Sequence, residues 1–149
     1  MTFVNKISDI SNSEASSQFD VESRLNDPSY QLAIASAIAA DDRKAEDIVL
    51  LAIGDVATLT EYFVIASGLS KTQVRAIANS IEEALVEKFG RKPLHIAGEQ
   101  DGSWILLDYG DIIVHAMMQK ERDYYGLEAF WGHAPKLEFV PQPSEQTNS

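Results

Sequence analysis

Ser103-Trp-Ile-Leu-Leu-Asp-Tyr-Gly-Asp-Ile-Ile-Val-His-Ala-Met-Met118 is the stretch on which the fold turns. Two apolar runs, Ser103–Leu107 and Ile112–Met118, flank Asp108-Tyr109-Gly110-Asp111, whose Asp and Gly residues suit a tight hairpin turn. Alternation along the second run puts Asp111, Ile113, His115 and Met117 on one face. Ile112, Val114, Ala116 and Met118 take the other.

Upstream, Pro93–Ala97 reads as a further strand. Before it lies the clearest helix, Ser70 to Phe89. Ser70 and Gln73 form a capping box, Val74, Ile77, Ala78, Ile81, Ala84 and Leu85 form one stripe, and Gly90 stands at the C-terminal cap position. Asp47–Ile53 and Glu61–Ser67 are short β-branched runs ended by Gly54 and Gly68, and read as strands. Asp27-Pro28 starts a first helix running to about Asp41. Downstream, Gln119 to Trp131 reads as one closing helix with Tyr124, Leu127 and Trp131 on a common face. The order predicts an α/β fold, a mixed β-sheet with flanking helices.

The domain is expected over residues 28–139. Residues 1–27, rich in Ser, Asn and Asp, read as a disordered acidic tail, and residues 140–149 as a second tail. A chain of residues 28–140 is therefore expected to fold with an unchanged thermal midpoint. The net charge is −11. Setting aside −3 in the first tail and −1 from Glu145 leaves −7 in the domain. Phosphate backbones repel such a chain, so a basic protein is the better partner. There is no cysteine, hence no disulfide, thiolate metal site or cysteine nucleophile. The N-terminus lacks the apolar region of a secretory signal, no run is long enough to cross a membrane, and a cytoplasmic location is expected.

Candidate chemistry is sparse. Gly68-Leu-Ser70 before a helix could bind an anion, but reads first as a plain strand-to-helix turn with an N-cap. Asp108 and Asp111 could share a cation or simply form the turn. His115, His95 and His133 show no metal spacing. Trp104, Tyr109, Tyr124, Tyr125, Phe130 and Trp131 crowd into 28 positions and serve either as core or as interface anchors.

Trp104-Ile-Leu-Leu-Asp-Tyr-Gly-Asp-Ile-Ile-Val-His115, followed by Arg122-x-x-Tyr-x-Leu-Glu-x-x-Trp131, resembles the signature of the ribosomal silencing factor family, also called Iojap. Ala45–Leu51, Tyr62–Gly68 and Gln73-Val-Arg-Ala-Ile-Ala78 match it too, so the likeness covers about residues 30–132. It implies a nucleotidyltransferase-like α/β/α sandwich without catalytic residues. It implies a non-enzymatic repressor of translation, acting in starvation or stationary phase and needing no cofactor or metal. This binds the large ribosomal subunit through a basic protein, the fourteenth in ribosomal naming, and blocks joining of the small subunit. Little nucleic-acid contact, no membrane and a possible homodimer when free complete the expectation.

Carried over by motif, the partner-binding positions are Trp104, Asp108, Tyr109, Asp111, His115, Arg122, Tyr125, Glu128 and Trp131. Asp108 and Asp111 are expected at or beside the contact, on an exposed turn. The chain departs from the family pattern at Glu61, Ala97 and Phe130, and Ala97 removes a carboxylate. The alternatives are a Mg-dependent nucleotidyltransferase-like enzyme using Asp108, Asp111 and the Gly68–Ser70 turn, and a large-subunit assembly factor.

Overall fold

The computed structural model describes residues 18–141. Helix α1 is Pro28–Asp42, strand β1 Glu46–Leu51, β2 Tyr62–Gly68, and helix α2 Lys71–Phe89. Then come β3 His95–Ala97, β4 Trp104–Asp108 and β5 Ile112–Met118, followed by α3 Gln119–Tyr125, α4 Leu127–Phe130 and β6 Lys136–Glu138. The six strands form one sheet in the order β3-β4-β5-β2-β1-β6. β2 and β5 pair in parallel and the other neighbours are antiparallel, so the sheet is mixed.

Local chemistry sets these limits. The Asp27 side chain caps α1 by accepting from the Ser29 N–H. Ser70 caps α2 by accepting from the Gln73 N–H, and the Gln73 side chain reaches back to the Leu69 N–H. Gly90 ends α2 at φ 64°, where a side chain would be strained. The α2 stripe Val74, Ile77, Ala78, Ile81 and Leu85 is buried. Each large aliphatic buried this way contributes roughly 1.5–3 kcal/mol. α1 is buried on more than one side. Its alanines let it lie close against both α2 and the sheet, and Ser80 donates to the Ala39 carbonyl across the helix pair.

Both long helices cover one face of the sheet, over Leu50, Val64, Ile105, Leu107, Ile112 and Val114. The opposite face carries Val49, Leu51, Phe63, Ile65, Ile113 and Met117, and is covered by Leu127, Trp131 and Ala134 from the C-terminal segment. The alternation expected for β5 is thus realised, with a core on each side.

Three expectations change. The closing helix breaks at Gly126, which sits at φ 57° and donates to the Arg122 carbonyl as a C-terminal cap. Tyr124 therefore leaves the face shared by Leu127 and Trp131 and points to solvent, 80% exposed. Strand β6 was not foreseen, since three residues are too few to display a period. It pairs with β1 at Val49, Leu50 and Leu51.

Residues 18–27, expected to be tail, pack on the domain, while residues 1–17 lie outside the described residues. Phe19 contacts the rings of Tyr30 and Tyr62 at 6.0 and 6.2 Å. The Arg24 guanidinium lies over the Phe19 ring at 4.4 Å and pairs with Asp55 at 3.0 Å. It also donates to the Tyr62 hydroxyl, which donates in turn to Asp27. A chain begun at residue 28 is now expected to be about 2 kcal/mol less stable than one begun at residue 18, through the lost cap and ring contacts. Urea midpoints measure this, and equal midpoints would return residues 18–27 to the tail.

Candidate functional site

Three paired strands and the C-terminal helices together assemble a row of seven rings. Tyr124 meets Tyr125 at 4.9 Å, Tyr125 meets Trp104 at 4.9 Å, and Trp104 meets His115 at 5.9 Å. His115 meets Phe63 at 4.5 Å, Phe63 meets Trp131 at 5.8 Å, and Trp131 meets Phe130 at 5.4 Å. The centre of the row is buried and its ends are open: Tyr124 is 80% exposed and Phe130 77%. Aromatic anchors with one side packed and one side open are typical of binding surfaces. Leu106 and Ala97, cross-strand partners beside Trp104, extend the open flank over β3 and β4.

His115 is the keystone of the row. It is buried, and the Trp104 indole N–H donates to its Nδ1 at 3.1 Å. Indole can only donate, so the ring proton of neutral His115 sits on Nε2. That nitrogen has no hydrogen-bond partner. Burial pushes the His115 pKa down to about 4.

Arg122 fastens the helical end. Its Nε and Nη2 donate to the two Glu128 carboxylate oxygens at 2.9 and 3.0 Å, and Nη1 donates to the Ser67 hydroxyl of β2 at 2.8 Å. The Arg122 hydrogen bonds hold the Glu128 carboxyl below the usual range. This fork locks α3 and α4 to the sheet and fixes where Tyr124, Tyr125, Phe130 and Trp131 stand.

The nine motif positions therefore separate. Trp104, Tyr125, Glu128 and Trp131 lie along or beside the aromatic row and reach the surface. His115 and Arg122 are buried beneath it. Asp108, Tyr109 and Asp111 lie at the other end of β4, four residues or about 13 Å from Trp104.

Tyr109 is buried, its phenol pushed up by burial, and it lies under the turn instead of on its exposed side. The acidic turn is not free either. Arg91 grips Asp111 at 2.8 and 3.2 Å and also donates to the Tyr109 carbonyl. Asp108 accepts from the Gly110 N–H. Thr60 donates to the Gly110 carbonyl at 2.8 Å and holds the turn from just before β2. Phe63, Tyr124 and Phe130 were missing from the motif-based site. Phe63 joins it only through the parallel β2–β5 register, a long-range pairing that spacing cannot show.

The three-part enzyme site is not assembled. Asp108 is paired with Ile113, and Gly68 with Met118 at the far end of β5. Five strand steps of about 3.3 Å separate these points by roughly 16 Å, beyond the reach of a shared cation. Among the described residues no group of three or more Asp, Glu or His side chains could hold a metal ion, and no helix is long and apolar enough to cross a membrane.

A sequence profile described as "Ribosomal silencing factor during starvation" matches residues 26–149. The ribosomal silencing factor of Bacillus subtilis is 41% identical over 100 residues, 67% of this chain and 84% of that protein. The chloroplastic Iojap protein of Arabidopsis thaliana is 32% identical over 124 residues, 82% of this chain and 51% of that protein. A crystal structure of a Chromobacterium violaceum protein superposes with a TM-score of 0.67 at 32% identity, over 80% of this chain and 98% of that one.

Proposed function

The chain belongs to the ribosomal silencing factor family, and from that membership we propose that it docks on the large ribosomal subunit and represses translation. The docking partner is a basic ribosomal protein, the fourteenth of the large subunit in ribosomal naming. The bound domain occupies space that the small subunit needs, so the mechanism is steric and requires no cofactor. The observation that supports this reading is the aromatic row with its two exposed ends, carried on a chain of net charge −11.

Trp104, Tyr125 and Trp131 serve as anchors, with Glu128 beside them. Asp108 contributes to the rim at the other end of β4. Asp111, His115 and Arg122 act through the side chains they hold, and Tyr109 through its packing in the core beneath the turn. Attraction between the acidic domain and a basic partner speeds association and weakens with salt, over a Debye length of about 8 Å at physiological ionic strength.

Sedimentation of the full chain with purified subunits on sucrose gradients tests the reading. Trp104→Ala is expected to weaken binding about 30-fold, near 2 kcal/mol, while the domain stays folded. Full binding by Trp104→Ala and by Tyr125→Ala would remove the aromatic row as the docking surface. An assembly factor would instead sediment with large-subunit precursors and leave mature subunits free.

A further inference from the structure

Arg75 lies within the Gln73–Ala78 motif and has no part in the aromatic row. It projects from the exposed side of α2, yet its guanidinium converges on the loop that joins β3 to β4. Nη2 donates to the carbonyls of Gln100 and Asp101 at 2.8 and 3.3 Å, and Nε donates to the Glu99 carbonyl at 3.4 Å. Three consecutive carbonyls facing one cation form a clasp no neutral side chain could reproduce.

The loop is built around this clasp. Gly102 is buried at φ 82°, and a Cβ there would stand 2.8 Å from the Arg75 guanidinium. Gly98, at φ 85°, packs so tightly that a Cβ would collide with the Trp104 carbonyl. The Gly102 N–H donates to the Gly98 carbonyl and closes the loop. The Ser103 carbonyl then accepts from the Met118 N–H, and Trp104 follows at once. The other tie between α2 and the loop is Lys71–Asp101 at 3.4 Å, an exposed pair that contributes little.

We propose that Arg75 is a positioning residue for docking. It pre-orders the loop of residues 98–103, and so fixes the backbone from which Trp104 meets the partner. The proposal rests on the docking reading above and adds a residue that reaches no ring of the row. Without the clasp, the partner must order the loop as it binds, and that cost falls on association.

The test uses the full chain. Trp104 and Trp131 are the two tryptophans, so Trp131→Phe makes emission report on Trp104 alone. In that background Arg75→Ala is expected to move emission to longer wavelength and roughly double quenching by acrylamide. Amide exchange at Gly102 and Met118 should rise about tenfold or more. With native Trp131, Arg75→Ala should associate with the large subunit about tenfold more slowly, with dissociation changed far less. Arg75→Lys keeps the charge without the fork and should recover part of each effect.

Arg75 is exposed, so the thermal midpoint should change little. Unmoved emission and exchange in Arg75→Ala overturn the proposal, and so does a fall in thermal midpoint with emission unmoved. Exchange and emission report the clasp whether or not the subunit binds. Failure of the docking surface shows separately, as full binding by Trp104→Ala.

Discussion

Arg122→Ala is expected to destabilise the domain by about 3 kcal/mol, because it strands a half-buried carboxylate and an unpaired Ser67 hydroxyl under the C-terminal helices. The native guanidinium is 5% exposed and makes three bonds to two elements 55 and 6 residues away in sequence. A lysine cannot span both, so Arg122→Lys should recover only part of the loss. Arg122→Met combined with Glu128→Leu should be more stable than Arg122→Ala, since no charge is then left without its partner.

Urea unfolding measures each variant. A midpoint for Arg122→Ala equal to wild type would show that the fork adds nothing to stability. The same pair contributes to acid sensitivity. Glu128 has a depressed pKa in the folded state, so its share of stability is present above the ordinary value of 4.5 and is lost as pH falls through the folded one.

Lowering the pH from 7 to 4 is expected to remove roughly 3 kcal/mol of stability through His115 alone. The folded pKa is about 4 against an ordinary 6.5, so between these values the unfolded chain binds a proton that the folded chain refuses. Stability is therefore full above 6.5 and falls as pH drops towards 4. Protonation also places a donor on Nδ1, where the Trp104 indole already donates, so the bond that orients Trp104 breaks. His115→Gln keeps an acceptor for that indole without titrating in this range. Its urea midpoint should fall less steeply between pH 7 and 4 than that of the wild type. Parallel pH profiles for the two proteins would remove His115 as the source.

These effects sit on residues whose importance the sequence exposed but whose roles it did not. Arg122, Glu128 and His115 stand in the motif that resembles the silencing factors, yet nothing in their spacing told a contact from a buried support. Tyr109 is the sharpest case. Its neighbours Asp108, Gly110 and Asp111 mark a turn, which suggests exposure, but Tyr109 itself is 1% exposed. A turn constrains the backbone and leaves open which way the large side chain leaves it.

Local signals determined much of the fold. The caps at Asp27, Ser70 and Gly90 are short-range hydrogen bonds and a backbone preference, and each helix starts or ends where they stand. The period of α2 and the alternation of β5 record which faces are buried, because burial acts residue by residue. The break at Gly126 is a local glycine cap of the same kind, whereas the three-residue β6 and the packing of Phe19 and Arg24 were decided by tertiary structure. Each depends on partners elsewhere in the chain: β6 on the β1 edge, Phe19 on the Tyr30 and Tyr62 rings, and Arg24 on Asp55 and Tyr62. The site divides in the same way. The amino-acid sequence supplied the aromatic residues and the acidic charge, which are properties of composition. The row itself exists only because parallel pairing of β2 with β5 sets Phe63 beside His115, and such long-range register is set by core packing rather than by local sequence pattern.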